Sequence, residues 1–179
     1  EPSPQEELER IPMLKLSDIE REPAKLYIDK KSIADVDVIH HNLFTNQIAY
    51  LMLAFDCKKV PDELLPYVGL LSSVLGLMDT HKHTYPELTN EININSGGIA
   101  TDAAIYTDSK DFSKYTVMYE VKGKVLYEKL PFVLEMMHEI IYETKFEDEK
   151  RLREIIARIK SRMESNMTGS GHTVAMLSA

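Results

Sequence analysis

Between Leu64 and Leu77 this chain leaves almost no face of a helix polar. Leu64, Leu65, Val68, Leu71, Val74 and Leu75 recur at helical spacing, and Leu70 and Leu77 widen the stripe nearly all round. Pro61 suits the first turn, where a missing backbone N–H costs nothing. A helix of this kind cannot lie on a surface, so other elements must cover it and a deeply buried position is expected. A chain of 179 residues has the size of one domain and can bury roughly 70% of its unfolded surface.

The cover is written on either side. Val36, Val38 and His40 alternate with Asp35, Asp37, Ile39 and His41, the two-residue period of a strand. Gln47 to Phe55 is apolar on both faces and is expected as a central strand, joined to the first by a hairpin over Asn42–Asn46. Thr84-Tyr85-Pro86-Glu87 has the form of a capping box, and its short helix should end before Gly97-Gly98. Ile99–Thr107 and Lys114–Lys122 read as two more strands around the polar turn Asp108–Ser113, with Tyr115, Val117, Tyr119 and Val121 on one face. Leu130, Val133, Leu134, Met137, Ile140 and Ile141 form a helical stripe with Pro131 in its first turn. Leu152, Ile155, Ile156, Ile159 and Met163 form another, followed by a break from Ser165 to Gly171 and a last helix from His172.

The order β-β-α-α-β-β-α-α with short connections predicts an α+β fold, an antiparallel sheet with helices packed on one face. Residues 1–30, with prolines at 2, 4, 12 and 23 and the acidic run Glu6-Glu7-Leu8-Glu9, read as a leader or linker with one helical turn near Ser17–Arg21. Residues 31–179 then form a single α+β domain.

Composition narrows the function. A hydrophobic fraction of 44% against 28% charged is that of a globular chain, and a net charge of -8 disfavours nucleic acid or an anionic membrane as partner. No apolar run reaches membrane-spanning length, and the polar, acidic start Glu1-Pro2-Ser3-Pro4 is unlike a secretory signal. A first residue other than Met reads as the mark of a piece of a longer polypeptide. A single cysteine, Cys57, excludes a disulfide scaffold, and a cytoplasmic location is the default expectation.

Candidate chemistry is sparse. His138-Glu139-Ile140-Ile141-Tyr142 misses the zinc motif His-Glu-x-x-His because Tyr142 stands at the second His, so an amphipathic helix is expected there. His81 and His83 lie on an interhelical loop and read as solvated. His40 and His41 point to opposite faces of a strand and cannot share a metal; one is expected buried and hydrogen-bonded. His172 reads as a capping or packing residue. Gly97-Gly98 and Gly169-Ser170-Gly171 lack phosphate-loop spacing, and Ser170 is not in a nucleophile elbow. Cys57 beside Lys58 and Lys59 has no catalytic partner in sequence, Asn166-Met167-Thr168 is only formally a glycosylation acceptor, and Glu135-Met136-Met137 reads as core before peptide-binding surface, with both open. No catalytic, cofactor-binding or metal-ligating residue is assigned.

Several segments nevertheless share a source. The run Leu65–Met78, the start Thr84-Tyr85-Pro86-Glu87-Leu88, Asn95-Ser96-Gly97-Gly98 and the strand ending Ile105-Tyr106-Thr107-Asp108 together resemble the pitrilysin/insulinase zinc peptidases, or inverzincins. Ile11-Pro12-Met13-Leu14-Lys15-Leu16-Ser17-Asp18-Ile19, Val60-Pro61-Asp62-Glu63-Leu64-Leu65-Pro66-Tyr67 and Gly169-Ser170-Gly171-His172-Thr173-Val174-Ala175 resemble their presequence-protease branch. The resemblance implies a processing-peptidase-like domain truncated at its C-terminus: the third of four homologous domains, in the C-terminal half. Zinc is implied only in the parent's N-terminal domain, on a His-x-x-Glu-His helix; here the matching slot, near Leu71 to Gly76, holds Leu, Ser, Val and Gly. The implied role is non-catalytic, forming the wall of a chamber in which unstructured peptides are degraded. Its partners would be the other domains of the polypeptide and the peptide substrate, and an uncovered C-terminal face would favour dimerisation of the fragment. The alternative is a stand-alone peptide-binding module or inactive partner subunit. An independent metalloenzyme built on His81 and His83 ranks last.

Overall fold

A computed structural model of the chain describes residues 13–22, 25 and 27–178. Its chain contacts divide into two compact units, Glu1–Phe44 and Thr45–Ala179.

In the first unit β1 (Asp29–Ile33) pairs antiparallel with β2 (Val36–His40), placing Asp29 opposite His40 and Ile33 opposite Val36. The turn is Ala34-Asp35, both with positive φ (50° and 63°), the mirror-image geometry that follows the natural twist of a two-stranded ribbon. The expected hairpin over Asn42–Asn46 is therefore corrected: β2 pairs backward with β1. Neither Ala34 nor Asp35 belongs to the Asn-Gly or Asp-Gly pairs that announce such a turn. The expected turn at Ser17–Arg21 is a short 3-10 segment at Leu16–Asp18.

The second unit holds a three-stranded antiparallel sheet in the order β3 (Ile48–Asp56), β5 (Tyr115–Leu126), β4 (Ile99–Thr107). The expectation of a central Gln47–Phe55 is thus overturned. β3 is an edge, and its even residues Tyr50 and Met52 are exposed rather than covered. The centre belongs to β5, whose Tyr119, Val121 and Val125 are buried on one face. This strand runs past Lys122 to Leu126, paired with β3 as far as Ile48, and Gly123 lets a helix approach it closely. A Cβ added there would meet Met137 Cε at 2.5 Å and Val133 Cγ1 at 2.8 Å.

The α1 helix (Leu65–Val74) follows a 3-10 turn at Asp62–Leu64. α2 (Tyr85–Asn95) starts on the expected capping box, with Thr84 N and Oγ1 donating to Glu87 Oε2 at 2.9 and 2.7 Å. α3 (Leu130–Tyr142) buries Val133, Met136, Met137 and Ile140 against β5, so the two methionines are core. α4 (Glu149–Gly169) is capped by Asp148, which accepts from Arg151 N at 2.9 Å, and α5 (Gly171–Ser178) follows directly. The break expected from Ser165 to Gly171 shrinks to Ser170, since α4 runs on to Gly169.

Two apolar clusters result, and α1 belongs to both. Leu65, Val68, Leu71 and Leu75 pack on the larger one, under the sheet, with Leu88, Val121, Val133 and Met137. Leu70, Val74 and Leu77 pack on a smaller one with Met78 and Ile155 of α4. This double service explains the all-round apolar helix. Only Val74 within it is fully buried, while Leu64 just before it and Tyr67 in its first turn are exposed, so the expected deep burial holds only toward its C-terminal end. Arg151 ties α4 to the end of α1 and the start of α2: its Nε donates to Leu77 O at 3.1 Å and its guanidinium lies 3.8 Å from the Tyr85 ring centroid.

Candidate functional site

Polar groups gather in two places in the second unit. The first is the loop between α1 and α2, expected as solvated, which instead is latched to α3. Thr80 is buried and donates to Glu139 Oε1 at 2.5 Å, and His83 Nδ1 lies 2.8 Å from the same oxygen. The backbone adds His81 N to Glu143 O at 3.0 Å and Lys145 N to Asp79 O at 2.8 Å. Lys82 Nζ and His138 Nδ1 approach Glu143 Oε1 at 3.2 and 3.6 Å. Burial pushes the Glu139 carboxyl upward, but the hydrogen bonds from Thr80 and His83 and the charges of His83 and Lys82 outweigh it and hold the group below the ordinary glutamate range. Sequence reading missed this carboxylate as an anchor; its one signal is an acidic residue beside Ile140 within an apolar stripe. The two histidines of the loop part company, with His83 inside the latch and His81 exposed.

The second place is the face of the sheet opposite the helices. Asp102 on β4 stands directly across from Glu120 on β5. Glu120 is fully covered; Tyr106 donates its hydroxyl to Oε1, and Lys122 Nζ lies 2.6 Å from Oε2 and 3.9 Å from Asp102 Oδ2. The ammonium of Lys122 and the Tyr106 hydroxyl hold Glu120 below its ordinary value, and Glu120 in turn raises both of theirs. Beside this cluster the face opens into a hollow of about 470 Å³ floored by β3, β5 and the Gly97–Ala100 segment. Tyr50, Met52, Lys122 and Lys124 rise around it, Tyr50 paired across the strands with Lys124 and Met52 with Lys122. The arrangement leaves an open, partly apolar surface beside the ion-paired Lys122 and the exposed Lys124.

The remaining singled-out residues are dispersed. His40 and His41 are both exposed, which corrects the expectation that one is buried. Cys57 is buried in the larger cluster and Ser170 is the C-cap of α4. Asn166 lies within α4 and His172 is exposed on α5.

All residues from 1 to 179 match the family described as Peptidase M-16C associated. The chain belongs to this peptidase-associated family. Among its relatives, Protein HypA of Clostridium perfringens is 37% identical over 98% of this chain and 18% of its own length. Presequence protease 1, chloroplastic/mitochondrial, of Arabidopsis thaliana is 32% identical over 97% of this chain and 16% of its own, and the mitochondrial presequence protease of Xenopus tropicalis 28% over 94% and 16%. The peptidase-associated chain therefore spans less than a fifth of these relatives. The resemblance to the presequence-protease branch, drawn from motifs, is shown by these matches along nearly the whole chain.

Among the described residues of the peptidase-associated domain, no three His, Cys, Asp or Glu side chains are grouped to hold a metal ion. The α1 slot presents Leu71, Ser72, Ser73 and Val74. These donors do not fit a zinc centre.

Proposed function

We propose that this chain is a non-catalytic domain of a zinc metallopeptidase that degrades unstructured peptides, and that it forms part of the wall enclosing the substrate. The third-domain position within a C-terminal half belongs to the same proposal. The observation that carries it is the sheet's helix-free face. Among the described residues helices cover only the side of Val121 and Val125, while Tyr50, Met52, Lys122 and Lys124 stand exposed on the other. Zinc, peptide hydrolysis and the other domains lie in the parent polypeptide. A wall of this kind needs shape and surface, and no residue here attacks the peptide bond.

The test uses the 179-residue chain, metal analysis, a quenched fluorescent peptide and a photo-crosslinking residue placed at Tyr50 or at Arg153. The expected result is no cleavage with or without added zinc, and capture of an unstructured peptide from Tyr50 but not from exposed Arg153 on α4. Cleavage abolished by a chelator, or equal capture from both positions, overturns the reading.

A further inference from the structure

The two edges of the three-stranded sheet are built differently. On β4, the bond from Asp108 N to Lys114 O sets the even-numbered residues toward β5 and the odd ones outward. That edge is blunted: Asp102 stands in mid-strand, and its Oδ1 accepts from the outward N–H of Ala103 at 2.9 Å. On β3, Cys57 N donates to Val117 O at 3.0 Å and Tyr127 N to Gln47 O at 2.9 Å, so here the odd-numbered residues face β5. Tyr50, Met52 and Ala54 therefore turn their backbone N–H and C=O to a side where no strand lies among the described residues. Ile48–Phe55 contains no charged residue and no proline, and its register with β5 is unbroken from Ile48 to Asp56. None of the usual protections of an edge is present.

The strand is complementary to itself. Met52 is its midpoint, so antiparallel pairing about a two-fold axis at Met52 uses its whole length. Met52 then faces Met52 of a second copy, Tyr50 faces Ala54 and Ile48 faces Asp56, and these are the positions whose backbone groups point outward. Between them Leu51 faces Leu53 and Ala49 faces Phe55. Each aromatic ring meets an alanine methyl, and no charge meets its like, although the chain as a whole carries -8. The approach is also open. The helices that pack closely on the sheet lie beneath β4 (α1) and β5 (α3), and Phe55 on that side of β3 is 37% exposed.

We infer that the free edge of β3 docks β3 of a second copy of this chain, joining two three-stranded sheets into one continuous antiparallel sheet about Met52. The inference concerns the edge and is independent of the wall reading, which concerns the face.

The experiment is sedimentation velocity of the 179-residue chain over a concentration series, with amide hydrogen exchange read residue by residue. A dimer should grow with concentration, and the Tyr50, Met52 and Ala54 amides should slow as it does. Met52→Lys sets two ammonium groups opposite each other at the axis, and should raise the dissociation constant about tenfold or more and remove the protection. Met52→Leu should leave both readouts unchanged, as should Met163→Lys at an exposed position of α4. Four results would each overturn the inference: a monomer at every concentration, a dimer indifferent to Met52→Lys, a dimer in which the three amides stay unprotected, or amides already protected in the monomer. The last would mean that the edge is covered within one chain.

Discussion

His83 Nδ1 and Glu139 Oε1 lie 2.8 Å apart, joining the α1–α2 loop to a carboxylate that no solvent reaches. Thr80 shares that oxygen, while Oε2 of Glu139 has no hydrogen-bond partner among the described residues. A buried acid held from one side makes the latch sensitive to its charge. Glu139→Gln removes the charge at nearly constant shape, and about 1–3 kcal/mol of stability should go with it. Urea denaturation checks the value.

The same pair sets an acid limit. Glu139 is held below the ordinary glutamate value of 4.5, so its contribution is complete above that value and is lost as pH falls through the lower folded-state value. Thermal melts below pH 4.5 should steepen for the native chain and flatten for Glu139→Gln. Parallel acid limbs would refute the assignment.

Gly123 makes a steric prediction. Its replacement by Ala drives a methyl group into Met137 and Val133, and should destabilise by about 1–3 kcal/mol. In a Met137→Ala background, itself destabilised, the same replacement should cost less, because the flexible thioether is the nearer obstacle. A double-mutant cycle on Tm or urea midpoint measures the coupling.

How much of this was legible depended on distance along the chain. The capping box at Thr84–Glu87, the alternation Tyr115–Val121 and the Met136-Met137 core were local patterns, and each reads out as written. The centrality of β5 was hidden because Gly123 and two lysines interrupt its apolar pattern, while β3 shows apolar residues on a face that no helix covers among the described residues. The latch was invisible for a different reason. Thr80 and His83 sit 59 and 56 positions from Glu139, and no spacing rule links a polar loop to one acid on a later helix.

Tyr106 reports on the open face. Its hydroxyl is raised above the ordinary tyrosine value of 10 by Glu120. Glu120→Gln should bring it back down, visible as one phenol of the nine ionising earlier in an ultraviolet alkaline titration. An unchanged titration would mean that the hydroxyl does not point at the carboxylate.

Ile155 anchors α4 through the smaller cluster alone. Ile155→Ala should cost about 2–5 kcal/mol, and hydrogen exchange should rise in α4 before it rises in β5. Simultaneous loss of protection would show the two clusters to be one cooperative unit.

The strand order β3-β5-β4 sets a timetable for synthesis. The strand that both edges need is the last of the three to be made, and nothing can close the sheet until Leu126 has left the ribosome. Until then β3 waits with Tyr50, Leu51, Met52 and Leu53 unpaired through roughly seventy residues of translation. The helical turns of α1 and α2, which form from near neighbours alone, are made during that interval. The apolar side chains of β3 and α1 thus wait together for the strand that covers them, and a slowed ribosome before Tyr115 would prolong the exposure of β3 as an unpaired apolar strand.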